Sequence, residues 1–330
     1  MKKVVWGVLS TAKIGTVKVI PALQRSPLIE VRAIASRTLP AAQEAARALG
    51  IPRAYGSYQE LLADPEIEAV YNPLPNHLHV PLTLEAARAG KHVLCEKPVA
   101  LTAAEAAQLR DCQVKVMEAF MVRFHPQWHH ARDLVQAGRI GTLRAVQVFF
   151  SYFNDDPQNI RNQAEVGGGG LYDIGCYAVV AGRFFFGADP RRAAALVDRD
   201  PVMKTDRLAS ALVDFGDGRH LDFTVSTQLV PFQRVQLCGT RGRIELVIPF
   251  NPAPGAATRL LVDDGSALDG SGISVETLPP CDQYTLQGEA FSRAVRGEAP
   301  LPYGPDDAVT NLRVLDALFR SERSGRFEPV

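Results

Sequence analysis

The sequence predicts an α/β protein of two domains. The first is a doubly wound parallel sheet; the second is an α+β domain with a large, mostly antiparallel open sheet. Three observations carry this. Short β-branched runs alternate strictly with alanine-rich helical stretches over about the first 120 residues. Beyond about residue 125, strand patterns follow one another with no helix between them. The 330 residues also exceed what one ordinary core encloses. The boundary is expected at 122/123, giving domains 1–122 and 123–330, with the C-terminal helix free to pack back on the first.

In order, strands are expected at 3–9, 29–36, 68–74, 92–95 and 114–120. Their continuous apolar character suits a sheet covered on both faces. The helical stretches LPAAQEAARALG and VPLTLEAARAG end in Gly50 and Gly90, a common helix stop. Ser57 with Glu60, and Thr102 with Glu105, have the spacing of capping boxes at helix starts. In the second half a helix is expected at 125–137 and a strand at 143–152. Gly167–Gly170 opens a helical stretch through about Phe186, and strands follow at 208–215, 219–229, 234–239 and 243–248. The turns GDG (216–218) and GTRG (239–242) are of hairpin type. Leu221, Phe223 and Val225 alternate with Asp222, Thr224 and Ser226, so this sheet buries one face more than the other. Residues 251–280 read as loop or short edge strands, and helices at 284–296 and 305–323 close the chain.

Lysine plus arginine equals aspartate plus glutamate, 36 of each. A neutral chain has no basic field for nucleic acid or an anionic membrane, so a small molecule is the expected partner. The five cysteines are widely spaced with no C-x-x-C pair, and no secretory leader or apolar span is evident. They fit reduced thiols in a cytoplasmic protein, with no metal site expected.

A dinucleotide fold needs small residues where its first strand turns into its first helix, so that backbone approaches a pyrophosphate. Here the turn reads Ser10-Thr11-Ala12-Lys13-Ile14-Gly15, and only the last glycine of G-x-G-x-x-G remains. The bare pattern fits either a dinucleotide turn or an ordinary tight turn; its place in a doubly wound half favours the first. Strand two ends Ala35-Ser36-Arg37-Thr38 without an acid to accept from the adenosine ribose. Ser36 and Arg37 suit a 2′-phosphate, so NADP is expected ahead of NAD.

VLCEKPVALT, around Glu96-Lys97-Pro98, resembles the E-K-P signature of the Gfo/Idh/MocA oxidoreductases. GVLSTAKIG, NPLPNHLH (72–79), MEAFMVRFHP (117–126) and GGGGLYDIGCY (167–177) resemble that family's other motifs in the same order. STAKI, ASR and the RFHP segment are most similar to the branch of NADP-dependent D-xylose 1-dehydrogenases and dimeric dihydrodiol dehydrogenases. The resemblance implies an N-terminal Rossmann domain and a C-terminal domain whose open sheet serves oligomer contacts, as a homodimer or homotetramer.

It also implies roles. Lys97 follows the carboxyl end of a parallel strand, where such sheets deliver ligand contacts, and Pro98 holds it extended. Its ammonium is expected to stabilise a substrate oxyanion as the proton leaves. Glu96 pairs with Lys97 or helps place the cofactor. Tyr177 and Asp173, four apart on a helix, share a face. Tyr177 is the expected acid/base, its phenol made more acidic by Lys97, and Asp173 the group that orients substrate. Tyr172 is expected to face elsewhere. Arg123 and His125 contact substrate or brace the junction. Pro73, Asn76 and His79 lie on the nicotinamide side, Asn76 as a helix cap. The glycines at 167–170 admit a sugar to the backbone or form a mobile loop. The expected activity is hydride transfer between nicotinamide and a sugar or related polyhydroxylated ring. Alternatives are dihydrodiol oxidation, sugar-ketone reduction, or a non-catalytic NADP-binding regulator.

Overall fold

The computed structural model describes residues 2–330, which form two compact units. The first comprises the chain up to Met121 together with Asp282–Val309; the second comprises Val122–Cys281 and Thr310–Val330. Among the described residues no helix is long and apolar enough to cross a membrane.

In the first unit, strands β1 (Val4–Leu9), β2 (Ile29–Ala35), β3 (Arg53–Tyr55), β4 (Ala69–Asn72), β5 (His92–Cys95) and β6 (Val116–Glu118) form one sheet. Its order is β3-β2-β1-β4-β5-β6, parallel throughout. All six residues of β1 are buried, as a central strand covered on both faces requires. The order reverses between β1 and β4, which makes their carboxyl ends the ligand-binding edge of such a sheet. At both expected capping boxes the N-cap bond forms, Ser57 Oγ accepting from Glu60 N–H and Thr102 Oγ1 from Glu105 N–H, while the Glu60 and Glu105 carboxylates accept from the preceding Gly56 and Leu101 N–H. Gly50 closes its helix at φ 64°.

The helix Gln283–Val295 belongs to this unit, so the second domain is not the continuous 123–330 that the sequence suggested. The cause is local packing. Trp6 is fully buried; its ring meets Phe291 at 5.4 Å and its indole N–H donates to Ser292 Oγ. Gly288 lies so close to Leu23 that a Cβ would sit 2.2 Å from Leu23 Cδ2. Thr285 Oγ1 donates to the Ala22 carbonyl, and Arg25 pairs with Asp282.

In the second unit β7 (Leu143–Phe153), β8 (Arg192–Arg199), β9 (Asp206–Gly216), β10 (Arg219–Ser226), β11 (Gln228–Gly239), β12 (Arg243–Leu246), β13 (Thr258–Asp263), β14 (Ile273–Leu278) and β15 (Glu328–Pro329) form a nine-stranded sheet. Its order is β14-β13-β12-β11-β7-β10-β9-β8-β15, antiparallel except where β7 meets β10. The GDG turn joins β9 to β10 with φ positive at Gly216, Asp217 and Gly218. Residues 251–280 supply β13 and the edge strand β14. The helices Pro126–Gln136 and Cys176–Phe186 pack on one face, where Trp128 is fully buried against Phe184, Phe185 and Phe250. On the other face Leu196 is 80% and Leu212 40% exposed.

Candidate active site

The phosphate turn leaves β1 at Ser10, which sits at φ 105°, a region L-residues other than glycine seldom occupy. Two bonds hold it there. Ser10 N–H donates to the Ala35 carbonyl at 2.9 Å, and Ser10 Oγ accepts from Ala12 N–H at 3.2 Å. The serine side chain thus stabilises a backbone shape that glycine usually provides. Thr11, Ala12 and Ile14 are half-buried and Lys13 is exposed, before a π-helical turn, Gly15–Val19, begins the helix. Gly15 leaves a methyl-sized space: an added Cβ would meet Tyr71 and Pro73 at 3.5 and 3.6 Å. At the end of β2, Ser36 is buried with its N–H on the Tyr55 carbonyl, while Arg37 is exposed and its charge acts on Tyr58.

At the end of β4, buried Asn72 donates to the His79 carbonyl and Thr83 Oγ1 and accepts from Leu74 N–H. This shapes the loop containing Pro73. Asn76, the expected helix cap, is the first residue of a 3-10 turn whose cap position is Pro75. Leu78 N–H closes the turn on the Pro75 carbonyl. The His79 imidazole is enclosed, with Nδ1 2.7 Å from the Pro98 carbonyl and Nε2 2.6 Å from the Leu74 carbonyl. Burial pushes its pKa down to about 4. Its ring nitrogens therefore tie two loops together instead of facing a ligand.

Lys97 is half-buried, with its backbone fixed on both sides. Glu96 N–H donates to the Asn72 carbonyl and Lys97 N–H to Glu96 Oε2. The Lys97–Pro98 bond is cis. Val99 N–H donates to Glu118 Oε1 at 2.9 Å. The Glu96 carboxylate also accepts from Tyr71 hydroxyl at 2.6 Å. Burial, reinforced by the Glu96 charge, keeps that phenol protonated. Sequence reasoning missed Tyr71 and Glu118 as supports; the only sign was polar groups at the ends of otherwise apolar strands.

In the second unit, Asp173 lies in a π-helical turn, Leu171–Gly175, that runs directly into the helix carrying Tyr177. Asp173 Oδ2 accepts from Tyr152 hydroxyl at 2.6 Å and from Arg161 Nε at 3.1 Å. Burial and the Asp173 charge push the Tyr152 phenol well up, so it remains a donor. Neither Tyr152 nor Arg161 was singled out from sequence: one ends a long strand and the other lies in a polar loop. The Tyr177 ring is 6% exposed and packs on Phe150 and Phe250 at 5.9 and 5.5 Å. Tyr172 turns away and packs on Phe319. Arg123 is buried. His125 is buried and caps the helix Pro126–Gln136, Nδ1 accepting from Gln127 N–H while Nε2 lies 3.3 Å from Cys281 Sγ. Burial pushes His125 down to about 4, so it is a neutral brace.

Comparison with known proteins matches residues 4–124 to an oxidoreductase family with an NAD-binding Rossmann fold, and 128–245 to the GFO/IDH/MocA C-terminal domain. An uncharacterized oxidoreductase of Rhizobium meliloti is 47% identical, covering 100% of both chains. D-xylose 1-dehydrogenase (NADP(+)) 2 of Haloferax volcanii is 41% identical over 97% of this chain and 98% of its own. Among solved structures, a 3-ketoreductase from Actinomadura kijaniata in complex with NADP and TDP-benzene superposes with a TM-score of 0.90. It is 30% identical and covers 97% of this chain and 98% of its own.

Proposed function

The chain belongs to the Gfo/Idh/MocA oxidoreductase family, and we propose that it is an NADP-dependent dehydrogenase acting on a hydroxyl group of a sugar. The observation that carries this is Lys97, delivered at the carboxyl end of β5 with its backbone held by Asn72, Glu96 and Glu118. A surface lysine needs no such support.

The donor set fits a dinucleotide. The Ser10 turn holds the shape that brings backbone to a pyrophosphate, Gly15 leaves a cradle that a side chain would fill, and exposed Arg37 ends β2 where a 2′-phosphate is read. When bound, NADP supplies the hydride acceptor. Lys97 hydrogen-bonds the substrate hydroxyl oxygen and stabilises the charge that grows there as its proton leaves. Tyr177 takes that proton, its phenolate favoured by an ammonium sharing the same oxygen. Asp173, steadied by Tyr152 and Arg161, accepts hydrogen bonds from a neighbouring substrate hydroxyl. The similar D-xylose dehydrogenase supports the choice of a sugar and of NADP.

A panel of aldoses, inositols and diols, followed at the nicotinamide absorbance with NAD and with NADP, tests this. Turnover of aldoses with NADP is expected; tight NADP binding without turnover of any polyol would favour a non-catalytic regulator. Arg37→Ala is expected to weaken NADP binding about 10- to 100-fold, the worth of one or two charge-assisted hydrogen bonds, and to leave NAD binding unchanged. Equal losses for both cofactors would remove Arg37 from 2′-phosphate recognition.

The bare face of the nine-stranded sheet supports assembly into a homodimer or homotetramer. Leu196 of β8 and Leu212 of β9 share its outward side, and Phe149 and Phe232 meet edge to face at 5.5 Å further along. Sedimentation at several concentrations tests it. None of the five cysteines is joined in a disulfide, which fits a reducing compartment such as the cytoplasm.

A further inference from the structure

The helix that carries Asp173 and Tyr177 begins at Leu171, straight after the glycine cluster, and the first amides of a helix have no partner within it. Leu171 N–H is met from elsewhere in the fold. Asp206, the first residue of β9, accepts it on Oδ2 at 2.5 Å. Asp206 is 1% exposed. Its carboxyl group fills the space beside the glycines. A Cβ on Gly169, which sits at φ 120°, would lie 1.9 Å from Asp206 Oδ1. A Cβ on Gly170 would lie 3.2 Å from the Asp206 carbonyl oxygen. These glycines are thus explained by the approach of Asp206, with no need for a mobile loop. The turn is joined to the substrate-side residue as well, because Asp173 N–H donates to the Gly169 carbonyl at 3.0 Å.

We propose that Asp206 is a positioning residue: its carboxylate fixes the first turn of the helix bearing Asp173 and Tyr177, and its ionisation sets how tightly the substrate is held. The substrate part rests on the sugar dehydrogenase reading above; the clamp itself does not. An ionised carboxylate makes the stronger, charge-assisted bond to Leu171 N–H and complements the positive end of the helix. A protonated one does neither, and the turn is held less firmly.

The charged surroundings leave both forms accessible. Arg199 on β8 favours the carboxylate, and Glu322 on the C-terminal helix opposes it. Those two are themselves paired, with Arg199 Nε 2.6 Å and Nη2 2.8 Å from the Glu322 carboxylate oxygens. Tyr152 on β7 also feels the Asp206 charge, and Tyr172 acts on Arg199. Burial outweighs the Leu171 bond and raises Asp206 to about 7. Because the folded state keeps a proton that the unfolded chain releases, Asp206 costs stability as pH rises from about 4 to about 7.

The test compares wild type with Asp206→Asn, which keeps the shape and one acceptor oxygen but cannot ionise, and with Asp206→Ala. Hydrogen exchange at Leu171–Asp173 is expected to speed up about tenfold in the Asn variant, the loss of one charge-assisted contribution, and further in the Ala variant. For the aldose, wild-type KM is expected to rise as pH falls through about 7, with kcat less affected. Asp206→Asn should show a KM raised about tenfold above pH 7 and no such rise on acidification. The same variant should melt higher than wild type above about pH 7 and gain nothing below about pH 4. A merely structural carboxylate would not give higher stability together with weaker substrate binding. Unchanged exchange in Asp206→Ala, or a KM–pH profile in Asp206→Asn superimposable on wild type, overturns the proposal. Absence of sugar turnover in the wild type would count against the enzymatic reading, while the exchange rates would still decide whether Asp206 holds the helix.

Discussion

Lys97→Met is expected to lower kcat for sugar oxidation by about a hundred- to ten-thousand-fold while leaving NADPH affinity within about threefold of wild type. Methionine keeps the length and apolar stem of lysine and removes only its charge and its donors. The local backbone does not depend on the ammonium: Glu96 N–H on Asn72, Pro98 on His79 and Val99 N–H on Glu118 all survive the change. Cofactor binding should therefore persist, because the phosphate turn at Ser10 and the end of β2 at Arg37 lie on other strands of the sheet. Fluorescence titration with NADPH, followed by single-turnover kinetics on the same sample, separates the two effects. Turnover at the wild-type rate would show that the ammonium plays no part in moving the proton. A loss of NADPH affinity equal to the loss of rate would make Lys97 a cofactor ligand only.

The support around Lys97 also shows where sequence reading stops. The parallel sheet was legible because β1, β4 and β5 are almost wholly apolar and alternate with helical stretches, as a doubly covered sheet requires. The lysine was legible because an apolar strand ended on two charges and a proline. Its neighbours were not: Tyr71 and Glu118 read as strand residues, and only the folded register brings Tyr71 to Glu96 and Glu118 to Val99. The short strand β3 and the alanine-rich β8 were missed for a different reason. Their composition favours helix or turn, and pairing with β2 and β9 overrides it. The return of Gln283–Val295 to the first unit follows from the shape of the Trp6–Phe291 contact, which no periodicity encodes. Likewise the glycine cluster announced a close approach without naming what approaches; Asp206 lies 35 residues beyond Leu171.

Tyr177→Phe is expected to leave the fold intact and lower kcat by about a hundred- to ten-thousand-fold. The ring is a packed core element, between Phe150 and Phe250, and phenylalanine preserves those contacts. Only the hydroxyl is lost, so a small change in melting temperature beside a large change in rate would isolate its chemistry from its packing. A change in stability alone would reduce Tyr177 to a buried aromatic. The double variant Lys97→Met/Tyr177→Phe carries the argument further. If both groups serve one proton, removing the second after the first costs little, and the double variant is about as slow as the slower single one. Rate losses that multiply would mean that the lysine and the tyrosine act on separate steps. Asp173→Asn is the contrast within the same helix. It keeps a group that Tyr152 and Arg161 can still hold in place, but weakens acceptance from a substrate hydroxyl. Its effect should fall mainly on KM, whereas those of Lys97 and Tyr177 fall on kcat. That division of effects would separate the residue that orients the sugar from those that move its proton.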